Sequence, residues 1–148
     1  MRALIIILII LSFLQATVLS INLVLMILIA RSLITTGKSN LYLAFGFGLL
    51  SSFLNLSILG LESFLYLLIL QFTQAISKSR FANNSLLIIP LSILAFVLNE
   101  SVLSLVAGSS ITLFPKVIWV AVVSLPVFFL VRLWEERFII RGNIKLRV

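Results

Sequence analysis

Apolar segments of nearly membrane-spanning length follow one another through almost the whole chain, with only short polar breaks between them. Of the 148 residues, 62% are hydrophobic and 10% are charged. A soluble domain is closer to half apolar, with about a quarter of its residues charged, and so small a volume cannot hide this much apolar surface. A spanning helix takes about 20 residues, so six of them leave room only for loops and ends. We therefore predict an all-α membrane protein: one domain over residues 1–148, a compact bundle of six transmembrane helices.

The breaks between the predicted spans are rich in Gly, Asn and Ser, which favour turns. The stretch from residue 3 to residue 35 is almost continuously apolar, so one long helix is the alternative there, although it would be far longer than a bilayer is thick. The N-terminal 20 residues also resemble a signal peptide, and cleavage would leave five spans. The predicted spans cover about residues 3–19, 21–35, 41–57, 61–77, 86–107 and 112–134.

Basic residues decide the predicted orientation, because cytoplasmic loops carry an excess of Lys and Arg. With six spans, Lys116 is alone on one side, and all other basic residues lie on the other side. Both termini are therefore predicted to be cytoplasmic, and residues 135–148 to form a basic cytoplasmic tail. That tail is either a short helix on the anionic inner leaflet or a docking site for a cytoplasmic protein. The residues of the cytoplasmic side are Arg2, Arg31, Lys38, Lys78, Arg80, Arg132, Arg137, Arg141, Lys145 and Arg147.

The composition excludes most catalytic chemistry. The chain contains no His, no Cys and no Asp, and its acidic residues are Glu62, Glu100, Glu135 and Glu136. The usual ligands of zinc, haem and iron–sulfur clusters are missing, and a Ser–His triad or a pair of aspartates cannot form. We expect no enzyme activity, no cofactor and no metal. The net charge of +7 is interpreted as membrane topology and not as a nucleic-acid site.

Polar residues inside membrane spans are costly and are candidates for function by default. On the predicted topology six of them fall in the outer half of the bundle, which suggests an outward-open pocket or a docking surface for a partner. The alternative is that helix ends near an interface tolerate polar residues. These candidate partner or pocket residues are Gln15, Asn22, Asn55, Glu62, Glu100 and Lys116.

Glu100 and Lys116 are each eight residues from Gly108, the centre of a predicted turn. Residues equidistant from a turn lie at similar depth in an antiparallel helix pair, so the two side chains are predicted to form an ion pair. A protonated Glu100 and a Glu100 that faces another subunit are the alternatives.

Small residues recur every four positions on the predicted third helix, at Ala44, Gly48 and Ser52. Such a face lets another helix approach closely. It serves either packing inside the bundle or contact with a partner or a second copy of the chain, so a homo-oligomer is possible.

The order of several segments resembles the MreD family of bacterial rod-shape-determining membrane proteins. Phe13-Leu-Gln15 stands where that family often has Leu-Gln, and Asn22-Leu-Val-Leu resembles its Pro-Asp-Leu-Leu opening of the second helix. The Gly-rich segment 46–55 and the segment 59–68, Leu-Gly-Leu-Glu-Ser-Phe-Leu-Tyr-Leu-Leu, resemble its third and fourth helices. The closing pair of helices, with Leu98-Asn-Glu100 and Pro126, is similar as well. Asn22 and Asn55 occupy positions where the family usually has an Asp.

This resemblance implies a non-enzymatic scaffold in the bacterial cytoplasmic membrane that supports peptidoglycan synthesis during cell elongation. Its implied partners are membrane lipid, an MreC-like protein and other cell-wall elongation proteins. The alternative function is the substrate-binding subunit of a vitamin-type energy-coupling-factor transporter, which is also a small six-span bundle with an outward pocket. A small membrane enzyme is a third class, but Glu100 has no acid–base partner in the sequence other than Lys116.

Overall fold

Six α-helices make up the described part of the chain, which contains no strand. The computed structural model describes residues 2–18, 21–79, 84–110 and 114–143, with side chains described as far as residue 137. The prediction of an all-α chain with six helices is confirmed. The helices are α1 (Arg2–Thr17), α2 (Leu23–Ile34), α3 (Lys38–Leu54), α4 (Leu61–Ser77), α5 (Ile88–Ala107), which follows a single 3-10 turn (Ser85–Leu87), and α6 (Lys116–Asn143).

The nearly continuous apolar stretch near the N-terminus forms two helices and not one. Helix α1 ends at Thr17, and α2 begins after Asn22. The Oδ1 atom of Asn22 accepts a hydrogen bond from the Leu25 N–H at 3.2 Å, and the Oε1 atom of Gln15 accepts one from the Val24 N–H at 3.2 Å. Both oxygens satisfy backbone donors that the first turn of a helix leaves free. The polar break therefore starts a second helix.

Helix α2 lies at the centre of the bundle and contacts each of the other five helices. None of its side chains is exposed, and Val24, Leu28 and Ala30 are completely buried. A helix that is apolar on all sides belongs in an interior. Its 12 residues span only about 18 Å, and its neighbours shield most of that length from lipid.

The outer faces of the other five helices carry exposed large apolar side chains, such as Phe45, Phe64 and Trp119. Soluble monomers rarely expose so much contiguous apolar surface, and lipid is the solvent that suits it. The segments Ser85–Ala107 and Lys116–Arg137 are long and apolar enough to cross a bilayer. The remaining helices have 12 to 17 residues, which is shorter than the roughly 20 residues of a typical span, so their length alone does not identify them as spans.

Helix α6 continues well past the end that the sequence predicts at residue 134, as far as Asn143. The reason is that Glu135, Glu136 and Arg137 are good helix formers, and the Arg132 Nε donates to the Glu136 Oε1 at 2.9 Å one turn later. The first residues of the predicted basic tail therefore continue the sixth helix. The position of residues 135–148 relative to the membrane stays a prediction.

Candidate functional site

A polar cavity of about 180 Å³ lies at the end of the bundle where α1 and α3 end and α2 and α4 begin. The alternating direction of the helices brings five of the six predicted partner or pocket residues together in this cavity. Their function in binding stays a prediction, but their positions form one site. The cavity is lined by Gln15, Asn22, Asn55, Glu62 and Glu100, together with Ile21, Asn99 and Leu103.

Glu62 is the most deeply buried acidic residue of the cavity, with 1% of its surface exposed. It lies in the first turn of α4, where the helix dipole favours a negative charge. Its Oε1 atom accepts hydrogen bonds from the Ser57 hydroxyl at 2.9 Å and from the Asn55 amide at 3.3 Å. Its Oε2 atom is buried and has no hydrogen-bond partner among the described residues. One carboxyl oxygen is therefore held in place by hydrogen bonds, and the other has no hydrogen-bond partner among the described residues.

Tyr66 lies one helical turn beyond Glu62 and connects three helices beneath the cavity. Its hydroxyl accepts a hydrogen bond from the Asn22 side-chain amide and donates to the Ser51 hydroxyl at 3.4 Å. The ring is completely buried. The sequence analysis missed Tyr66, although its four-residue spacing from Glu62 places both side chains on one face of a helix.

Asn99 and Glu100 enter the cavity from α5. Asn99 is only 2% exposed, and its Oδ1 atom has no hydrogen-bond partner in the part of the chain that the structure describes. Glu100 is half-buried. The sequence analysis selected Glu100 for its charge and missed Asn99, whose buried position depends on how α5 packs.

Lys116 does not line the cavity, and the predicted ion pair with Glu100 is wrong. The ion pairs within 4.0 Å among the described residues join Arg31 to Glu135 and Arg132 to Glu136. The reason is the long connection, since α5 ends at Ala107 and α6 begins only at Lys116. Glu100 lies seven residues inside α5, or about 10 Å deeper at 1.5 Å per residue, whereas Lys116 is the first residue of its helix.

The face of small residues on α3 packs inside the chain, against α4. Ala44, Gly48 and Ser52 are all buried. A Cβ atom added at Gly48 would lie 2.4 Å from the Cα of Ser63, so the absence of a side chain sets the approach of the two helices. The Ser63 hydroxyl in turn donates to the Phe45 carbonyl at 3.2 Å. The close contact supports the floor of the cavity, because the same two helices carry Ser51, Glu62 and Tyr66.

Comparison with known proteins identifies the family. Residues 1–138 match the family described as rod shape-determining protein MreD. The chain belongs to the MreD family. It matches no curated protein and no solved structure. Membership implies a membrane protein with a role in rod-shape determination, in a family that is not known for catalysis.

Two amides in this member of the MreD family stand where the resemblance leads us to expect acids, and both use their nitrogen atoms. The Asn22 Nδ2 donates to Tyr66, and the Asn55 Nδ2 donates to Glu62 and to Ser51 at 3.3 Å each. An ionised Asp at position 55 would instead place a second carboxylate against Glu62. The amides therefore leave Glu62 and Glu100 as the acidic groups of the cavity.

A second polar cluster lies at the opposite end of the bundle and was missed by the sequence analysis. The Arg31 Nε donates to the Glu135 Oε1 at 2.8 Å, and the Thr35 hydroxyl donates to the other carboxyl oxygen. Both charged side chains are buried. The contact joins the C-terminal end of α2 to the C-terminal half of α6 over 104 residues of sequence, a separation that no local pattern reveals.

Neither cluster has the composition of a metal centre. Within the described ranges, no three residues of the types His, Cys, Asp and Glu come together. The cavity offers carboxyl and amide groups from separate helices. This chemistry suits hydrogen bonding to a polar or charged group.

Proposed function

We propose that this protein is a non-enzymatic scaffold of the bacterial cell-elongation machinery, which binds an MreC-like protein and supports peptidoglycan synthesis. The observation that carries the proposal is the MreD family match over residues 1–138. A scaffold needs surfaces and not a reaction centre. The polar cavity at one end of the bundle and the basic residues at the other offer a contact region on each side of the membrane.

The proposed arrangement is a multi-pass protein of the cytoplasmic membrane in which all six helices cross and both termini face the cytoplasm. Arg31 lies near the C-terminal end of α2, Lys38 begins α3 and Lys78 follows α4, all at the end opposite the cavity. Basic residues favour the cytoplasmic side. The cavity would then open outward. The MreC-like partner that the resemblance implies is a single-span protein with a large extracytoplasmic part, which could contact the cavity on that side.

Purification of the tagged full chain from its native membranes in mild detergent tests the proposal. We expect an MreC-like protein and peptidoglycan synthase subunits to co-purify, and depletion of the chain to convert rod-shaped cells into round ones. A tagged multi-span protein of another function is the matched control. Unchanged cell shape, together with no cell-wall protein in the eluate, would contradict the scaffold.

The transporter alternative keeps one supporting observation, because polar residues do converge on one cavity at the predicted outer end. The cavity volume of about 180 Å³ is smaller than the roughly 300 to 1,000 Å³ of typical small-molecule sites, and its lining contains no aromatic residue. Co-purification of ATPase subunits in place of cell-wall proteins would favour the transporter.

A further inference from the structure

The hydrogen bonds around the polar cavity engage some of its donors. The amide nitrogens of Asn22 and Asn55 already donate to Tyr66, Ser51 and Glu62. The cavity lining includes no Lys or Arg. Of the other polar groups in the described lining, the amides of Gln15 and Asn99 carry donors, whereas the carboxyl groups of Glu62 and Glu100 are acceptors.

Two acceptor atoms of the residues that line the cavity accept no hydrogen bond from the described part of the chain. The Oε2 atom of Glu62 and the Oδ1 atom of Asn99 are buried, and neither has a hydrogen-bond partner among the described residues. Both residues line the cavity, and Glu100 adds a second carboxyl group to it. A buried polar atom without a partner is destabilising, so the side chains of Glu62 and Asn99 favour an occupant that brings N–H donors to them.

We propose that the cavity binds a guanidinium or primary ammonium group, whose charge matches the two carboxyl groups and whose N–H donors hydrogen-bond to the side chains of Glu62, Glu100 and Asn99. A hard metal cation fits less well, because such ions take about six to eight oxygen ligands, and the oxygens of Gln15 and Asn22 already accept from Val24 and Leu25.

The size of the cavity limits the occupant to something small. At about 180 Å³ it holds the end of one basic side chain or a small free amine. The two sources share the same chemistry. Binding of a partner's side chain rests on the proposed scaffold function, since a basic residue of the partner's extracytoplasmic part would reach an outward cavity. Binding of a free amine does not depend on that function.

Thermal unfolding of the purified full chain in detergent, at constant ionic strength, tests the binding itself. Methylguanidinium and methylammonium are the probes, and tetramethylammonium is the control because it has the charge but no N–H donor. We expect saturable protection by the first two in the millimolar range and none by the control. Equal effects of all three cations, or no saturable effect, would overturn the proposal and mean that the cavity holds only water.

Three variants locate the site. Glu62→Gln and Glu100→Gln should weaken methylguanidinium binding about tenfold each, since each removes a charge-assisted interaction, and Asn99→Asp should strengthen it. Glu136→Gln, at the other end of the bundle, is the matched control. If Glu62→Gln does not fold, the other two variants still test the proposal. Glu100 is half-buried, and Asn99→Asp is expected to have the opposite effect on affinity. Unchanged affinity in Glu100→Gln and Asn99→Asp overturns the proposal.

The partner complex distinguishes the two sources. If a basic side chain of the MreC-like protein occupies the cavity, methylguanidinium should protect the free chain but not the complex, and Glu100→Gln should loosen the complex. If the occupant is a free amine, the probe should protect both equally. Co-purification of the partner without any probe binding would leave the scaffold standing and remove the cavity proposal.

Discussion

The ion pair between Arg31 and Glu135 should be costly to break, because both charges are buried. Glu135→Ala should lower the free energy of unfolding by about 3 to 5 kcal/mol, since a buried charge would lose its counter-charge. The control is Glu136→Ala, which breaks the half-exposed pair with Arg132 and should cost about 0 to 1 kcal/mol. Unfolding in mixed detergent micelles measures both. Equal losses in the two variants would show that the pair is not buried.

Two glycines of one helix make a second matched comparison at the scale of the residue. Gly48→Ala should cost about 1 to 3 kcal/mol, because the new Cβ would press on the backbone of Ser63 and force α3 and α4 apart. Gly46 has no atom within 4 Å of its virtual Cβ, so Gly46→Ala should stabilise the protein by about 0.5 to 1 kcal/mol through helix propensity. The same unfolding measurement checks both signs. Two losses of similar size would contradict the close approach.

The start of α2 is the element that separates a bundle of six helices from one with a long first helix. Asn22 accepts from the backbone of α2 and donates to Tyr66. Asn22→Ala should therefore destabilise the protein by about 1 to 3 kcal/mol, from the lost cap and from the lost hydrogen bond to the buried Tyr66 hydroxyl. Asn22→Asp keeps the cap, and the Tyr66 hydroxyl can donate to it, so we expect a smaller loss. Denaturant unfolding compares the two, and equal losses would mean that the cap contributes little.

The orientation of the whole molecule is tested with single cysteines, because the chain has none of its own. Ser110 and Thr36 are both exposed and lie at opposite ends of the bundle. Ser110→Cys should react with a membrane-impermeant maleimide added to intact spheroplasts, whereas Thr36→Cys should react only after the membrane is opened. The reverse pattern would overturn the predicted orientation.

At the scale of the whole molecule, the apolar composition determines the all-helical membrane class, and the turn-forming breaks determine the number of helices. Both are local properties, because a helix is made by neighbouring residues. The sequence also places Gln15, Asn22, Asn55 and Glu62 near helix ends, and alternating helices then bring such ends together. Most of the candidate site could therefore be predicted.

Tertiary structure alone decided the contacts that join distant parts of the chain. Nothing near Arg31 in the sequence indicates Glu135, and equal spacing from Gly108 predicted a wrong partner for Glu100. The roles of Tyr66 and Asn99 depend on which side of a helix faces the bundle. The spacing of Ala44, Gly48 and Ser52 predicts a close helix contact, but only the packed structure shows that Gly48 meets Ser63 of α4. The physical reason is that side-chain pairing depends on the distance between packed helices, which the local pattern of residues does not specify.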